Sequence, residues 1–148
     1  MIPTRKGVRS MIHILLVEDN PADVRLTQEA FKETGVPSTL HVVRDGAEAI
    51  DFLQQDGRFV FAPRPDMILL DLNLPKKDGR QVLTEIKSDI NFRSIPIVIL
   101  TTSKAEEDIQ DTYNHYANCY ITKPTDLDDF IQIVKQIEQF WLSIVQLP

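Results

Sequence analysis

Short apolar runs recur along the chain at IHILLV (12–17), LHVV (40–43), MILL (67–70), IVIL (97–100) and CYI (119–121). Each has the length of a strand, and longer stretches of helical period lie between them. This alternation of strand and helix patterns predicts a parallel sheet covered by helices on both faces.

The helical stretches carry their own start and stop signals. Asn20 can cap a helix whose first residue is Pro21, and Gly35 followed by Pro37 ends it, which predicts a helix over 21–34. A second helix is expected from about Ala47 to Gln55, and a third from about Arg80 to Ser88 with Val82, Leu83 and Ile86 turned inward. A fourth, over about 105–115, is acidic and only weakly amphipathic. A fifth begins near Thr125 or Asp126 and places Leu127, Phe130, Ile131, Val134, Ile137 and Trp141 on one stripe.

Two segments exceed this minimal pattern. DGRFVFAPRP (56–65) is a long connection with two prolines, whose three apolar residues Phe59, Val60 and Phe61 are expected to pack back on the domain. The C-terminus, IEQFWLSIVQLP, holds more apolar residues than one buried face requires, and Ile133, Phe140 and Ile144 fall off the main stripe. A second, adhesive face is the expectation.

Length and charge narrow the class. The 148 residues suit one domain, read as a loose basic tail over 1–10 and a single unit over 11–148, with Met11 an alternative start. A net charge of −6 disfavours general affinity for nucleic acid or anionic membrane. Cys119 is the only cysteine, which excludes an internal disulfide or a cysteine-rich zinc site and suits a reducing cytoplasm. His13, His41 and His115 are scattered and read as incidental rather than as metal ligands. The basic N-terminus precedes an apolar run that meets two acids after about six residues, too short for a secretory signal. No apolar stretch approaches the ~18 residues that span a bilayer.

Chemistry gathers at the ends of the runs. LLVED ends in Glu18 and Asp19, MILLD in Asp71, and IVIL is followed by Thr101 and Thr102. In a parallel sheet these ends share one edge, and ligands bind outside that edge where the strand order reverses. Carboxylates brought within ~4 Å of each other repel by about 4 kcal/mol per pair at an effective dielectric of 20. A cation relieves that cost, and an all-oxygen site without cysteine or histidine suits Mg²⁺. Lys123, just beyond the fifth run, adds a compact positive charge able to pair with Asp71 or hold a phosphoryl oxygen, and Thr101 adds a hydroxyl. A carboxylate nucleophile, a cation site, a hydroxyl and a lysine are the parts of phosphoryl transfer onto a side chain, forming an acyl phosphate.

The motifs VEDN, LLDLNLPKKDG, ILTTS and YITKP occur in order, and from about Met11 to Trp141 the chain resembles the receiver domain of two-component response regulators. APRPD, NLPKKDGR and FWL further resemble the stand-alone response regulators that partner cyanobacterial phytochromes. The resemblance implies a flavodoxin-like (βα)5 fold with strand order 2-1-3-4-5. It implies that Asp71 accepts a phosphoryl group from a phosphohistidine of a sensor histidine kinase, here a phytochrome. Asp19 would ligate Mg²⁺ directly, Glu18 mostly through water and Asn73 through its backbone carbonyl, with Asp71 completing the metal set. Thr101 and Lys123 would contact the phosphoryl group, and Tyr120 would be the switch aromatic. Asn73 and Ser103, each two positions after Asp71 and Thr101, would tune dephosphorylation. Pro124 would fix the adjoining loop. The face of the fourth helix, fifth strand and fifth helix, with Phe140 and Trp141, would form a homodimer. Thr125, where many relatives carry an aromatic, and Glu18, where aspartate is commoner, depart from the pattern and bear on tuning.

Plainer readings stand beside these. Asp19 and Asp71 can be strand-end acids that cap loops, Glu18 a partner of the first helix's dipole, Thr101 a β-favouring residue and Lys123 a solvated charge. Phe140 and Trp141 can be core. Two rival functions also remain: a haloacid dehalogenase-type phosphatase, which wants an acid where Asn73 stands, and a pseudo-receiver scaffold that is never phosphorylated. The favoured expectation is a cytoplasmic switch, not a metabolic enzyme, that catalyses only its own Mg²⁺-dependent phosphorylation and dephosphorylation.

Overall fold

The computed structural model describes residues 11–35, 37–74, 78–101, 119–123 and 126–145, with the side chains of 119, 120 and 140–145 outside the description. The expected tail over 1–10, the expected helix over 105–115, Thr102, Ser103, Pro124 and Thr125 lie outside these residues.

Five parallel strands form one sheet: β1 (Ile12–Val17), β2 (Ser38–Val43), β3 (Met67–Asp71), β4 (Ile97–Thr101) and β5 (Cys119–Thr122). Their order is β2-β1-β3-β4-β5, as the sequence resemblance implies. β3 and β4 are buried along their whole length, as are the last four residues of β1, because helices cover both faces. Alternate side chains go to opposite faces, dividing the apolar residues into two clusters. Leu15, Val17, Ile68 and Leu70 pack on one face with Phe52, Val82, Leu83 and Ile86. Ile14, Leu16, Leu69 and Val98 pack on the other with Ala30, Phe31, Phe130, Val134 and Ile137.

Four helices lie among the described residues. Helix α1 (Pro21–Thr34) has the predicted bounds: Asn20 Oδ1 accepts from the backbone N–H groups of Ala22 (2.9 Å) and Asp23 (3.3 Å), and Gly35 takes the left-handed conformation at φ 74°. Helix α2 (Gly46–Gln54) starts and ends one residue earlier than expected. Asp45 caps it by accepting from the Glu48 N–H at 2.9 Å, and Gln55 is left-handed at φ 58°, closing the helix where the sequence offers no glycine. Helix α3 (Gly79–Ser88) opens with a reciprocal capping box between Asp78 and Gln81, and it buries Val82, Leu83 and Ile86 as predicted.

The terminal helix α4 (Leu127–Val145) begins just after Asp126, whose Oδ1 accepts from the Asp129 N–H at 2.9 Å. Phe130, Val134 and Ile137 are buried, with Leu127 and Ile131 partly buried beside them. Ile133, expected off the stripe, is also partly buried against this core, and α1 packs along α4.

The connection after α2 corrects another expectation. A 3-10 turn over Gly57–Phe59 leaves Val60 55% and Phe61 94% exposed, while Phe59 and Ala62 pack on the core. Residues three apart eclipse one another in such a turn, and the Ala62 N–H donates to the Phe59 carbonyl at 2.9 Å, so these two share the inner side. His13 and His41, far apart in sequence, meet on adjacent strands with Nδ1 and Nε2 3.0 Å apart. No helix among the described residues is long and apolar enough to cross a membrane.

Candidate phosphoacceptor and metal site

The strand order creates the site. The chain runs from β1 outward to β2 and then crosses back to β3, so the carboxyl ends of β1 and β3 lie side by side at the reversal. Val17 pairs with Leu70, which sets Glu18 next to Asp71, the last residue of β3. Asp71 pairs with Leu100, which brings Thr101 at the end of β4 alongside. Thr101 pairs with Thr122, and its carbonyl accepts from the Lys123 N–H at 2.7 Å, fixing the base of the lysine.

Glu18, Asp71 and Thr101 are essentially buried, at 1%, 2% and 2% exposure, whereas Asp19 is exposed. Burial follows from the strands themselves, since both faces of β1 and β3 are covered up to their last residues. The Asn20 N–H donates to Glu18 Oε2 at 3.1 Å, and the Asn73 N–H donates to Asp71 Oδ1 at 3.0 Å. Each carboxylate is thereby held by the turn that follows its strand. The start of α3 lies tightly against the end of β3: a Cβ built on Gly79 would stand 2.7 Å from the Asp71 carbonyl oxygen and 2.7 Å from Leu72 Cα. Only glycine lets the helix approach β3 this closely.

Lys123 Nζ enters between the acids, 2.7 Å from Glu18 Oε1, 2.9 Å from Asp23 Oδ2 and 3.2 Å from Asp71 Oδ2. An ammonium has three donors, and three carboxylates take them. Burial works against the Lys123 charge, but the hydrogen bonds to Glu18 and Asp23 and the charges of Asp71 and Glu18 outweigh it and hold its pKa above the usual lysine value. Burial pushes the Glu18 carboxyl up to about 7, with the Lys123 hydrogen bond opposing and the Asp71 charge adding to the rise.

Glu18, Asp19 and Asp71 each offer a carboxylate oxygen, and the three oxygens lie within 4.8 Å of one another. Hard oxygen donors, two of them withdrawn from water and one open to it, fit a small divalent cation that keeps part of its hydration shell. The cost visible in the raised Glu18 pKa is what such a cation offsets.

Of the residues singled out from the sequence, the structure brings Glu18, Asp19, Asp71, Thr101 and Lys123 to one strand edge, with exposed Asn73 bonded to Asp71. Tyr120 pairs with Ile99 in β5, and Phe140 and Trp141 lie in α4, but their side chains are outside the description, as is Ser103. Asp23 is the site residue that sequence reasoning missed. Its place in the first turn of a helix starting at this edge was legible from Asn20 and Pro21; its pairing with Lys123 was not.

A family profile described as the response regulator receiver domain matches residues 14–135. The response regulator Rcp1 of Synechocystis sp. is 52% identical over 135 residues, covering 91% of this chain and 92% of Rcp1. Among solved structures, the phosphorylated cyanobacterial phytochrome response regulator RcpA superposes with a TM-score of 0.84 at 56% identity, over 91% of this chain and 96% of RcpA. The Mn²⁺-bound form of Rcp1 superposes with a TM-score of 0.82 at 51% identity, over 93% of this chain and 99% of the other.

Proposed function

The chain belongs to the response regulator receiver domain family, and from that premise we propose that it is a phosphorylation switch in which Asp71 takes a phosphoryl group from a phosphohistidine on a sensor histidine kinase. The observation that carries this reading is the meeting of Asp71 with Glu18, Asp19 and Lys123 at the reversal of strand order. A phytochrome is the proposed kinase, supported by the likeness to RcpA and Rcp1.

Asp71 is the nucleophile. One of its oxygens bonds to phosphorus as the phosphorus–nitrogen bond to the donor imidazole breaks, and the imidazole leaves with the electron pair. The Asn73 N–H on Oδ1 and Lys123 on Oδ2 orient the carboxylate before attack. Glu18, Asp19, Asp71 and the Asn73 carbonyl would hold Mg²⁺, which supplies charge neutralisation for the incoming phosphoryl oxygens. Lys123 and the Thr101 hydroxyl bind those oxygens on Asp71. Their inward pull is the switching event, with Tyr120 moving in response and Asn73 and Ser103 setting the rate of hydrolysis. Phe140 and Trp141, with the face around β5 and α4, form the homodimer surface that transmits the change. The protein works in the cytoplasm and turns over no separate substrate.

The test is incubation with Mg²⁺ and acetyl phosphate, followed by intact mass. One phosphoryl adduct on the native chain and none on Asp71→Asn is expected. Absence of an adduct on the native chain would favour a pseudo-receiver scaffold, and continuous hydrolysis of varied phosphate esters a phosphatase. Light scattering is expected to show a dimer; a monomer at high concentration in both phosphorylation states refutes that part.

A further inference from the structure

Lys123 Nζ bonds to three carboxylates, yet only two of them belong to the group that fits a divalent cation. Glu18 and Asp71 lie in that group, and Asp23 does not. We propose that Asp23 is a positioning residue for Lys123: it retains the ammonium on the α1 side of the site, so that Lys123 can release Glu18 and Asp71 to a divalent ion without leaving the site. The inference rests on the reading of Asp71 as a metal-dependent phosphoacceptor and names a residue that sets the metal dependence.

The geometry supports the assignment in three ways. The Asp23–Lys123 distance, 2.9 Å, is shorter than the 3.2 Å to Asp71, so Asp23 is a principal partner of the ammonium. Asp23 is also firmly placed, because its N–H donates to Asn20 Oδ1 at 3.3 Å and its carbonyl accepts from the Thr27 hydroxyl at 2.7 Å. Its side chain is 20% exposed, against 1% for Glu18 and 3% for Asp71, so placing a carboxylate there costs less desolvation than at either of the other two positions. Without Asp23, Lys123 has no carboxylate but Glu18 and Asp71 to pair with among its three, and it competes directly with the cation for them.

A plainer role for Asp23 is available, since an acid in the first helical turn stabilises the helix dipole, and any negative charge nearby attracts a cation. Both effects are independent of Lys123, and a double-mutant cycle removes them. Mg²⁺ affinity is measured by calorimetry for the native chain, Asp23→Asn, Lys123→Met and the double variant. Asp23→Asn is expected to weaken binding about tenfold when Lys123 is present, the size of a close charge-pair coupling, and about twofold when it is absent. Asp23→Glu, which keeps the carboxylate, is expected to recover most of the native affinity. Thermal unfolding of the four metal-free proteins is expected to show the same coupling, the double variant being less destabilised than the sum of the singles. Should Lys123→Met fail to fold, Lys123→Gln provides the second background with the same criterion.

Equal losses of affinity in both backgrounds, or additive unfolding shifts, overturn the proposal while leaving the phosphoacceptor reading intact. A native chain that binds no Mg²⁺ and takes no phosphoryl group from acetyl phosphate overturns both.

Discussion

Gly79→Ala tests whether the start of α3 sets the position of Asp71, the proposed phosphoacceptor. At an ordinary helix start the substitution stabilises by about 0.4–1 kcal/mol, because alanine restricts the unfolded chain. Here the added Cβ meets the Asp71 carbonyl oxygen at 2.7 Å, Leu72 Cα at 2.7 Å and the Leu72 carbonyl oxygen at 3.0 Å. All three are backbone atoms of a buried strand end, so no flexible side chain can swing aside. Ordinary van der Waals contact begins near 3.4 Å, so α3 and the end of β3 must separate by about 0.7 Å. Overpacking of this kind costs about 1–3 kcal/mol, which reverses the sign expected from chain entropy. Asp71 moves with its backbone relative to Lys123, and a displacement approaching 1 Å at a reacting group costs up to about a hundredfold in rate. Urea unfolding gives the first quantity, and the rate of adduct formation with acetyl phosphate and Mg²⁺ gives the second. A Gly79→Ala protein at least as stable as the native one would show that the close approach is not real.

Three further outcomes follow from the fold. Asn20→Ala, which removes the acceptor of two N–H groups at the start of α1, should cost about 1 kcal/mol in urea unfolding, and an unchanged midpoint would discount the cap. Phe61→Ser should change stability by less than about 0.5 kcal/mol at 94% exposure, whereas Phe59→Ala, which loses an edge contact to Phe52 at 5.4 Å between centroids, should cost about 1–2 kcal/mol; equal effects would contradict the 3-10 turn. Burial, with the charge of His13 adding, lowers the His41 pKa below 6.5, so between that value and its folded pKa the unfolded chain binds the proton that the folded chain refuses. Stability is therefore full above pH 6.5 and declines as pH falls, and thermal unfolding of His41→Gln should show a shallower decline than the native chain over that window.

The parts of the fold that were legible in the sequence are those decided locally. Asn20, Pro21 and Gly35 bound α1 by satisfying its terminal N–H groups and by taking a left-handed φ, neither of which depends on distant residues. The apolar runs marked strands because both faces are covered, and the parallel arrangement then forced Glu18, Asp71 and Thr101 to a common edge. What escaped was decided by tertiary contact. Gln55 ends α2 in a left-handed conformation that glutamine does not advertise, and Ile133 is partly buried against a core assembled from several elements distant in sequence. The Asp23–Lys123 bond joins residues 100 positions apart in sequence across the ends of α1 and β5, and no local pattern encodes such a pair.

The same charges that identify the site determine what happens when divalent ions are removed. At pH 8, above the raised Glu18 pKa of about 7, the Glu18 carboxyl adds its charge to the acidic cluster it forms with Asp19, Asp23 and Asp71, and among the described residues Lys123 is the one ammonium bonded within that cluster. Four acidic groups surround a single ammonium, and this excess of acid over base disfavours approach of a phosphoryl donor that is itself anionic. Each pair of like unit charges about 5 Å apart costs about 3 kcal/mol at an effective dielectric of 20, so even a single unrelieved pair slows the encounter by about a hundredfold. Lys123 cannot relieve this, because its three donors already serve Glu18, Asp23 and Asp71. Chelation with EDTA at pH 8 should therefore reduce the rate of adduct formation from acetyl phosphate by at least about a hundredfold, with restoration by excess Mg²⁺. Intact mass against time measures the rate. Adduct formation at an undiminished rate in EDTA would mean that the carboxylates are neutralised by some route other than a bound cation, and the electrostatic account of the site would fall with it.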